Sequence, residues 1–300
     1  MKKFVIITDS CSDLDKELRT KYDVEYIPMY ISLDGKEMEA DLDWGEITPA
    51  QFYERMREGA RVKTAQITAP RYEAKFEKCI QDGCDVLSIS CSSALSGSIE
   101  ASKMARDSLL KKYPESKIIC IDSLNAWFGL GLLCIRASEM RAEGKSIEET
   151  AAWIEANRKH MNQECTVDKL SYLKQAGRVS AASAFFGGLL SVKPIVVSDI
   201  YGNNAAEEKV KGRKNSMARL VERFQDKYEE HDYSKIFLGH ADCLEEAEEL
   251  KQMLEKVLPD TAPEIRIGNI GPIIGGSAGP GTLAIYFYGK KVTFDPKAAK

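Results

Sequence analysis

Short apolar runs alternate with segments of helical character through the first 160 residues, and this alternation restricts the fold more than any other feature. The apolar runs predict strands at residues 3–8, 24–31, 85–90 and 117–121. The intervening segments predict helices at residues 13–22, 49–57, 70–81, 99–112, 124–142 and 147–160. Two helix starts carry a capping box, Thr48 with Gln51 and Ser146 with Glu149. Such alternation is typical of a mostly parallel sheet with helices on both faces.

The second half of the chain has a different pattern. Its helices are predicted at residues 168–176, 213–229 and 244–257. Its strands are predicted at residues 192–197, 235–239, 264–270, 282–288 and 291–294, the last two forming a hairpin around Gly289. We therefore expect an α/β fold with two lobes. Residues 1–162 would form the N-terminal lobe around the parallel sheet, and residues 163–300 an α+β lobe with a mixed sheet.

Composition excludes several classes of function. The net charge of −4 is not that of a typical nucleic-acid-binding domain, which carries a basic patch. The longest apolar run, at residues 126–135, has half the length of a membrane span, and no signal peptide is evident at the N-terminus, so we expect a cytoplasmic protein. Eight cysteines without a C-x-x-C pair and three histidines without metal-ligand spacing predict free thiols and no metal or other cofactor.

Hydroxyl-rich turns follow two of the predicted strands. Residues 90–98 contain five serines between a buried strand and a helix, and the first amides of a helix lack internal partners. Together these groups predict a site for a carboxylate or phosphate, although N-capping within a polar turn is an alternative. The turn around Ser10 and the segment around Thr64 would face the same edge, beyond the carboxyl ends of the strands.

Two other interpretations of these segments were weighed. Residues 271–281 hold five glycines and two prolines, which indicates special backbone conformations or a close approach to a ligand, but they lack the lysine of a P-loop. Ser96 could instead be a hydrolase or phosphotransferase nucleophile, with His240 as base and Asp9 or Asp242 orienting it. The G-x-S-x-G pattern is absent, because Ala94 occupies its first position.

Taken together, seven motifs in the same order resemble the DegV family, which includes the fatty-acid-binding FakB proteins. Nearly the whole chain is covered. The motifs are Thr8-Asp-Ser10, Thr64-Ala-Gln66, the 92–98 segment similar to S-S-x-L-S-G-T, the 172–180 segment similar to Y-L-x-x-G-G-R-[IV]-S, and residues 192–195, 209–213 and 271–281.

The resemblance implies a protein without catalytic turnover that holds one long-chain, palmitate-like fatty acid between two lobes. The carboxylate would be held by a threonine and the serine turn, here Thr64 with Ser92, Ser93, Ser96 and Gly97. It also implies a role as a bacterial lipid carrier in fatty-acid or phospholipid metabolism, with a separate fatty acid kinase as partner.

The chain departs from the family pattern at two positions near the expected head group. Ser277 stands where the family usually has a histidine, and Lys211 stands where it commonly has an arginine. We expect these two residues, with Ser10 and Gly279, to be additional head-group contacts, although Lys211 could equally be a solvated surface lysine. The changes leave open that the ligand is a different anionic amphiphile.

Overall fold

A computed structural model describes residues 3–180 and 191–298 of the chain. The strands are β1 (Phe4–Asp9), β2 (Val24–Ile27), β3 (Tyr30–Leu33), β4 (Lys36–Glu39), β5 (Val62–Ala65), β6 (Asp85–Ser90), β7 (Ile118–Asp122), β8 (Met161–Thr166), β9 (Val179–Ser180), β10 (Val192–Ser198), β11 (Asn204–Lys211), β12 (Ile236–His240), β13 (Ile265–Asn269) and β14 (Leu283–Tyr288). The helices are α1 (Lys16–Tyr22), α2 (Pro49–Arg57), α3 (Ala69–Gln81), α4 (Ser98–Lys112), α5 (Trp127–Ala142), α6 (Ile147–Asn157), α7 (Leu170–Ala176), α8 (Arg213–Lys227), α9 (Leu244–Glu255) and α10 (Pro272–Ala278), with 3-10 turns at Ser10–Ser12 and Arg158–His160.

The N-terminal sheet has four parallel strands in the order β2-β1-β6-β7. Helices α5 and α6 pack on one of its faces, and α3 and α4 pack on the other. All six residues of β6 are buried, as expected for a central strand covered on both sides. The predicted parallel sheet with helices on both faces is confirmed.

A second sheet has seven strands in the order β13-β12-β14-β8-β10-β11-β9, with both parallel and antiparallel pairs. Side chains alternate between its faces along β14. Ala284 and Tyr286 join the core shared with the parallel sheet, whereas Ile285 and Phe287 pack with the residues of α8 and α9. The mixed sheet predicted for the C-terminal lobe is therefore confirmed.

A third, small antiparallel sheet, β4-β3-β5, was not foreseen. The sequence predicted one strand over residues 24–31, but Pro28 lies between β2 and β3 and has no N–H for a ladder hydrogen bond. The chain therefore leaves the parallel sheet and turns back at Asp34 and Gly35, an Asp-Gly pair in which both residues have positive φ. Strands β4 and β5 escaped prediction because charged residues interrupt their apolar positions.

The glycine-rich segment contains a short helix, α10, and Gly279 and Gly281 after it have positive φ angles of 85° and 79°. Two other predictions of local structure were wrong. Residues 291–294 form no strand, and Gly289 instead makes an isolated bridge with Tyr228. Helix α5 begins only at Trp127, because Leu124 and Trp127 adopt positive φ angles of 53° and 56° that interrupt the helical path. Within residues 3–180 and 191–298, no helix has the length and apolar character needed to cross a membrane.

Candidate ligand-binding cavity

A cavity of about 370 Å³ lies where the carboxyl edge of the parallel sheet meets β5, α7 and α10. This volume falls in the range of small-molecule sites, about 300–1,000 Å³. Eight of its lining residues, which we call the apolar floor, are buried: Cys11, Met29, Cys91, Trp127, Leu173, Ile273, Ile274 and Ala278. The others, which we call the mouth, are half-buried or exposed: Thr64, Ala65, Gln66, Leu95, Ser96, Gly97, Ala176, Arg178, Val179, Asn204 and Ser277.

Hydroxyl groups from three different elements meet at the mouth: Thr64 on β5, Ser96 in the turn before α4, and Ser277 on α10. The Ser96 hydroxyl lies 3.0 Å from that of Ser98 and also accepts the Ser98 N–H at 3.2 Å. Ser98 in turn accepts the Ile67 N–H at 3.4 Å. Either hydroxyl of this pair can be the donor, and when Ser98 donates to Ser96, the Ser96 O–H remains for a ligand in the cavity.

The serine turn is held in place by the loop that follows β7. The Ser92 N–H donates to the Asn125 carbonyl at 2.9 Å, and the Ser93 N–H donates to Asp122 Oδ1 at 3.1 Å. Gly97 packs against the end of the exposed Gln66 side chain, which would have to move if a Cβ were added. The turn therefore presents Ser96 from a rigid frame rather than from a free loop.

A single buried carboxylate joins the two strand ends beneath the floor. Asp9 Oδ1 accepts the Cys11 N–H at 2.9 Å, and Asp9 Oδ2 accepts the Cys91 N–H at 2.8 Å. Burial raises the pKa of Asp9, against the effect of those two donors. A hydrogen bond between the Cys11 and Cys91 thiols, together with burial, raises the pKa of Cys11. This sulfur therefore stays a protonated, apolar part of the floor.

Of the residues that the sequence predicted, the structure brings Thr64, Ser96, Gly97 and Ser277 together at the mouth. Two serines of the same turn lie elsewhere. Ser92 is fully buried and its hydroxyl accepts the Ala94 N–H at 3.3 Å, whereas Ser93 is exposed outside the cavity wall.

The other three predicted contacts also lie outside the cavity wall. Ser10 is fully buried, where its hydroxyl donates to the Ala40 carbonyl and accepts the Met29 N–H at 2.9 Å. Its effect on the cavity is therefore to position Met29. Gly279 packs so tightly against Tyr172 that a Cβ would lie 2.2 Å from the ring, and Lys211 is exposed at the end of β11.

The arrangement expected of a serine hydrolase is not assembled. His240 does not line the cavity, and its Nδ1 lies 3.4 Å from the Cys243 N–H. Burial lowers the pKa of His240, and Asp242 pairs with Arg57 at 2.6 Å. In the part of the chain that the structure describes, the Ser96 hydroxyl contacts only the backbone and side chain of Ser98.

Sequence reasoning missed Arg178 and most of the floor. Arg178 lies at the mouth, where its Nη1 donates to the Ala176 carbonyl at 2.7 Å and leaves a positive charge at the rim. It belongs to the Tyr172–Ser180 motif, which indicates the family but assigns no ligand contact to this arginine. Trp127, Ile273 and Ile274 carried no separate signal, because apolar residues in helices are more often core than cavity wall.

These features define a two-lobed α/β protein with a cavity that is lined by buried apolar side chains and by hydroxyl groups at its mouth. A family model described as "Uncharacterised protein, DegV family" matches residues 3–290. The chain belongs to the DegV family.

Related proteins and structures show the same likeness over nearly the whole chain. A DegV domain-containing protein of Clostridium perfringens is 39% identical over 293 residues, covering 96% of this chain and 98% of that protein. A DegV family protein from Thermus thermophilus, described for its fatty acid binding, superposes with a TM-score of 0.83 at 27% identity, covering 97% of this chain and all of that one. A DegV lipid binding protein from Thermotoga maritima gives a TM-score of 0.83 at 26% identity, with the same coverage.

Proposed function

We propose that this protein binds one long-chain fatty acid, with the carboxylate at the mouth and the acyl chain along the apolar floor. The observation that carries the proposal is a cavity whose described wall combines half-buried hydroxyl groups with eight buried, mainly apolar side chains. The fatty acid binding and lipid binding described for the Thermus and Thermotoga proteins support it.

The energetics agree with an acyl chain as the main source of affinity. Burying about fourteen methylenes at ~0.8 kcal/mol each yields roughly 11 kcal/mol, before the cost of ordering the chain and losing its translation. A carboxylate requires hydrogen bonds when it leaves water. The Thr64 and Ser96 hydroxyls supply donors, and Arg178 adds a positive charge at the rim.

The proposed role is that of a carrier rather than a catalyst. The mouth is half exposed, so a carboxylate there would stay reachable from outside while its chain is covered. This placement and the family resemblance support presentation of the carboxylate to a separate fatty acid kinase. Phosphoryl transfer would be the kinase's chemistry, and this chain would contribute binding and orientation.

The test is to identify what the purified protein carries and then to rebind it. We expect mass spectrometry of an organic extract to show a long-chain fatty acid at about one per chain. The delipidated protein should then bind saturated acids from C8 to C18 with increasing affinity until the cavity is full. A different anionic amphiphile in the extract would replace the fatty acid as the ligand, and affinity independent of chain length would refute the acyl site.

A further inference from the structure

Trp127 is the largest side chain in the described wall of the cavity and its only described aromatic residue. It belongs to the apolar floor, with 4% of its surface exposed, whereas the hydroxyls lie at the half-buried mouth. A buried indole in the cavity wall occupies space that an acyl chain would otherwise enter.

The backbone of Trp127 is strained and firmly held. Its φ of 56° lies in the left-handed region, which is unusual for a bulky residue. The preceding loop is fixed by the Asn125 side chain, which donates to the carbonyls of Ser123 at 2.7 Å and Arg158 at 2.9 Å. A strained backbone of this kind persists only where many surrounding contacts hold it in place, and such residues are common at functional sites.

The same loop is tied directly to the serine turn at the mouth. The Asn125 carbonyl, two residues before Trp127, accepts the Ser92 N–H at 2.9 Å. Ser96 N–H in turn donates to the Ser92 carbonyl at 3.0 Å. The hydroxyl that would hold the carboxylate and the indole in the floor are therefore held in one hydrogen-bonded frame, at a fixed separation.

Packing behind the indole prevents it from yielding to a longer ligand. Its ring contacts Tyr286 of β14 with centroids 5.8 Å apart, and Tyr286 is fully buried. Phe128 packs on the same tyrosine at 6.0 Å and on Phe237 at 5.1 Å. Because close-packed side chains have low compressibility, these rings resist displacement of the indole by a ligand.

We propose that Trp127 closes the inner end of the cavity and sets the longest acyl chain that this protein accommodates. The inference rests on the proposed function, because it needs an acyl ligand with its carboxylate at the mouth. Each methylene buried before the limit should tighten binding about fourfold, and methylenes beyond it should add nothing or weaken binding.

The first experiment measures the dissociation constants of saturated acids from C10 to C20 for delipidated wild type, Trp127→Phe and Trp127→Leu. Wild type should show a break in the plot of log Kd against chain length. Trp127→Leu should move the break upward by about two carbons or more, because relaxation only partly closes the space that a large-to-small change leaves. Trp127→Phe should move it less.

Trp153→Leu is the matched control. Trp153 packs edge-on against Tyr233 and Tyr288 and does not line the cavity, so the same substitution there should leave the break unchanged. A break at the same length in both folded Trp127 variants would overturn the inference while leaving fatty-acid binding intact. Absence of any chain-length dependence in wild type would instead refute the proposed function.

A second experiment leaves Trp127 in place. In the Trp44→Phe/Trp153→Phe background, Trp127 is the sole tryptophan of the chain and its fluorescence reports on the floor. Acids brominated at the terminal carbon should quench this fluorescence increasingly as their length approaches the break, whereas 2-bromo acids of equal length should quench little. Stronger quenching by the 2-bromo acids would place the indole beside the carboxylate and overturn the inference.

Discussion

Replacing Ser96 with alanine tests the head-group site most directly. Ser96 lies at the mouth and its hydroxyl accepts the Ser98 N–H, so its own proton can go either to the Ser98 hydroxyl or to a ligand. A hydrogen bond to a charged group contributes about 1.5–3 kcal/mol. We therefore expect Ser96→Ala to raise the Kd for palmitate by roughly 10- to 140-fold.

The assay is calorimetric titration of delipidated protein with palmitate and with the corresponding fatty alcohol. The alcohol carries no charge, so its hydrogen bond should be weaker and its loss about 0.5–1.5 kcal/mol. Ser98→Ala should weaken palmitate binding less than Ser96→Ala does, because Ser98 does not line the cavity and would act on the ligand only through Ser96.

Ser93→Ala is the matched control, since Ser93 lies in the same turn but is exposed and outside the cavity wall. Its Kd should equal that of wild type. Wild-type affinity in Ser96→Ala would refute the assignment of the carboxylate to this hydroxyl. Equal losses in Ser93→Ala and Ser96→Ala would show that the turn acts through its conformation rather than through one donor.

Three further predictions concern stability and the rim. Burial, with a smaller effect of nearby Asp9, raises the pKa of Asp13 well above its usual range, so stability should be lost as pH rises from about 3.8 through the folded pKa. Asp13→Asn should therefore stabilise the protein by about 1 kcal/mol near neutral pH and have no effect in acid. In a pH series of urea melts, a difference in the free energy of unfolding that is the same at every pH would contradict this. Gly275→Ala would place a Cβ 2.1 Å from the buried Tyr53 hydroxyl, which donates to the Ile270 carbonyl, and should cost about 1–3 kcal/mol; an unchanged urea midpoint would show that Tyr53 can move aside. Lys211→Met should leave the Kd for palmitate within about twofold of wild type, because an exposed charge outside the cavity is screened; a loss seen for palmitate but not for the alcohol would bring Lys211 into the site.

Local chemistry was enough to determine many elements from the sequence. Both capping boxes are present, with Thr48 and Ser146 accepting the N–H three residues on. The buried strand β6 and the C-terminal end of α7 at Ala176 were likewise located within a residue or two. These features depend on side chains and backbone groups only a few residues apart, so the sequence carries them directly.

The serine turn shows where local information ends. The sequence predicted an anion site there, but Ser92, Ser93 and Ser96 were equivalent in the pattern. Their environments are a buried pocket, solvent and the cavity mouth, respectively, and the difference comes from the attachment of the turn to Asn125 and Asp122. Asp122 ends β7 and Asn125 lies in the loop after it, about thirty residues further along the chain than the serine turn.

The cavity itself was decided by tertiary structure alone. Thr64 reaches the mouth from a small sheet whose strand β5 the sequence did not reveal, and Trp127 enters the floor only because its backbone departs from the helical path. Hydrophobic pattern places a side chain inside the protein but does not say whether another side chain or a ligand will cover it. The sequence by itself thus determined the family, the two kinds of sheet and the hydroxyl-bearing segments, whereas long-range packing decided which of those hydroxyls share a cavity and where the cavity ends.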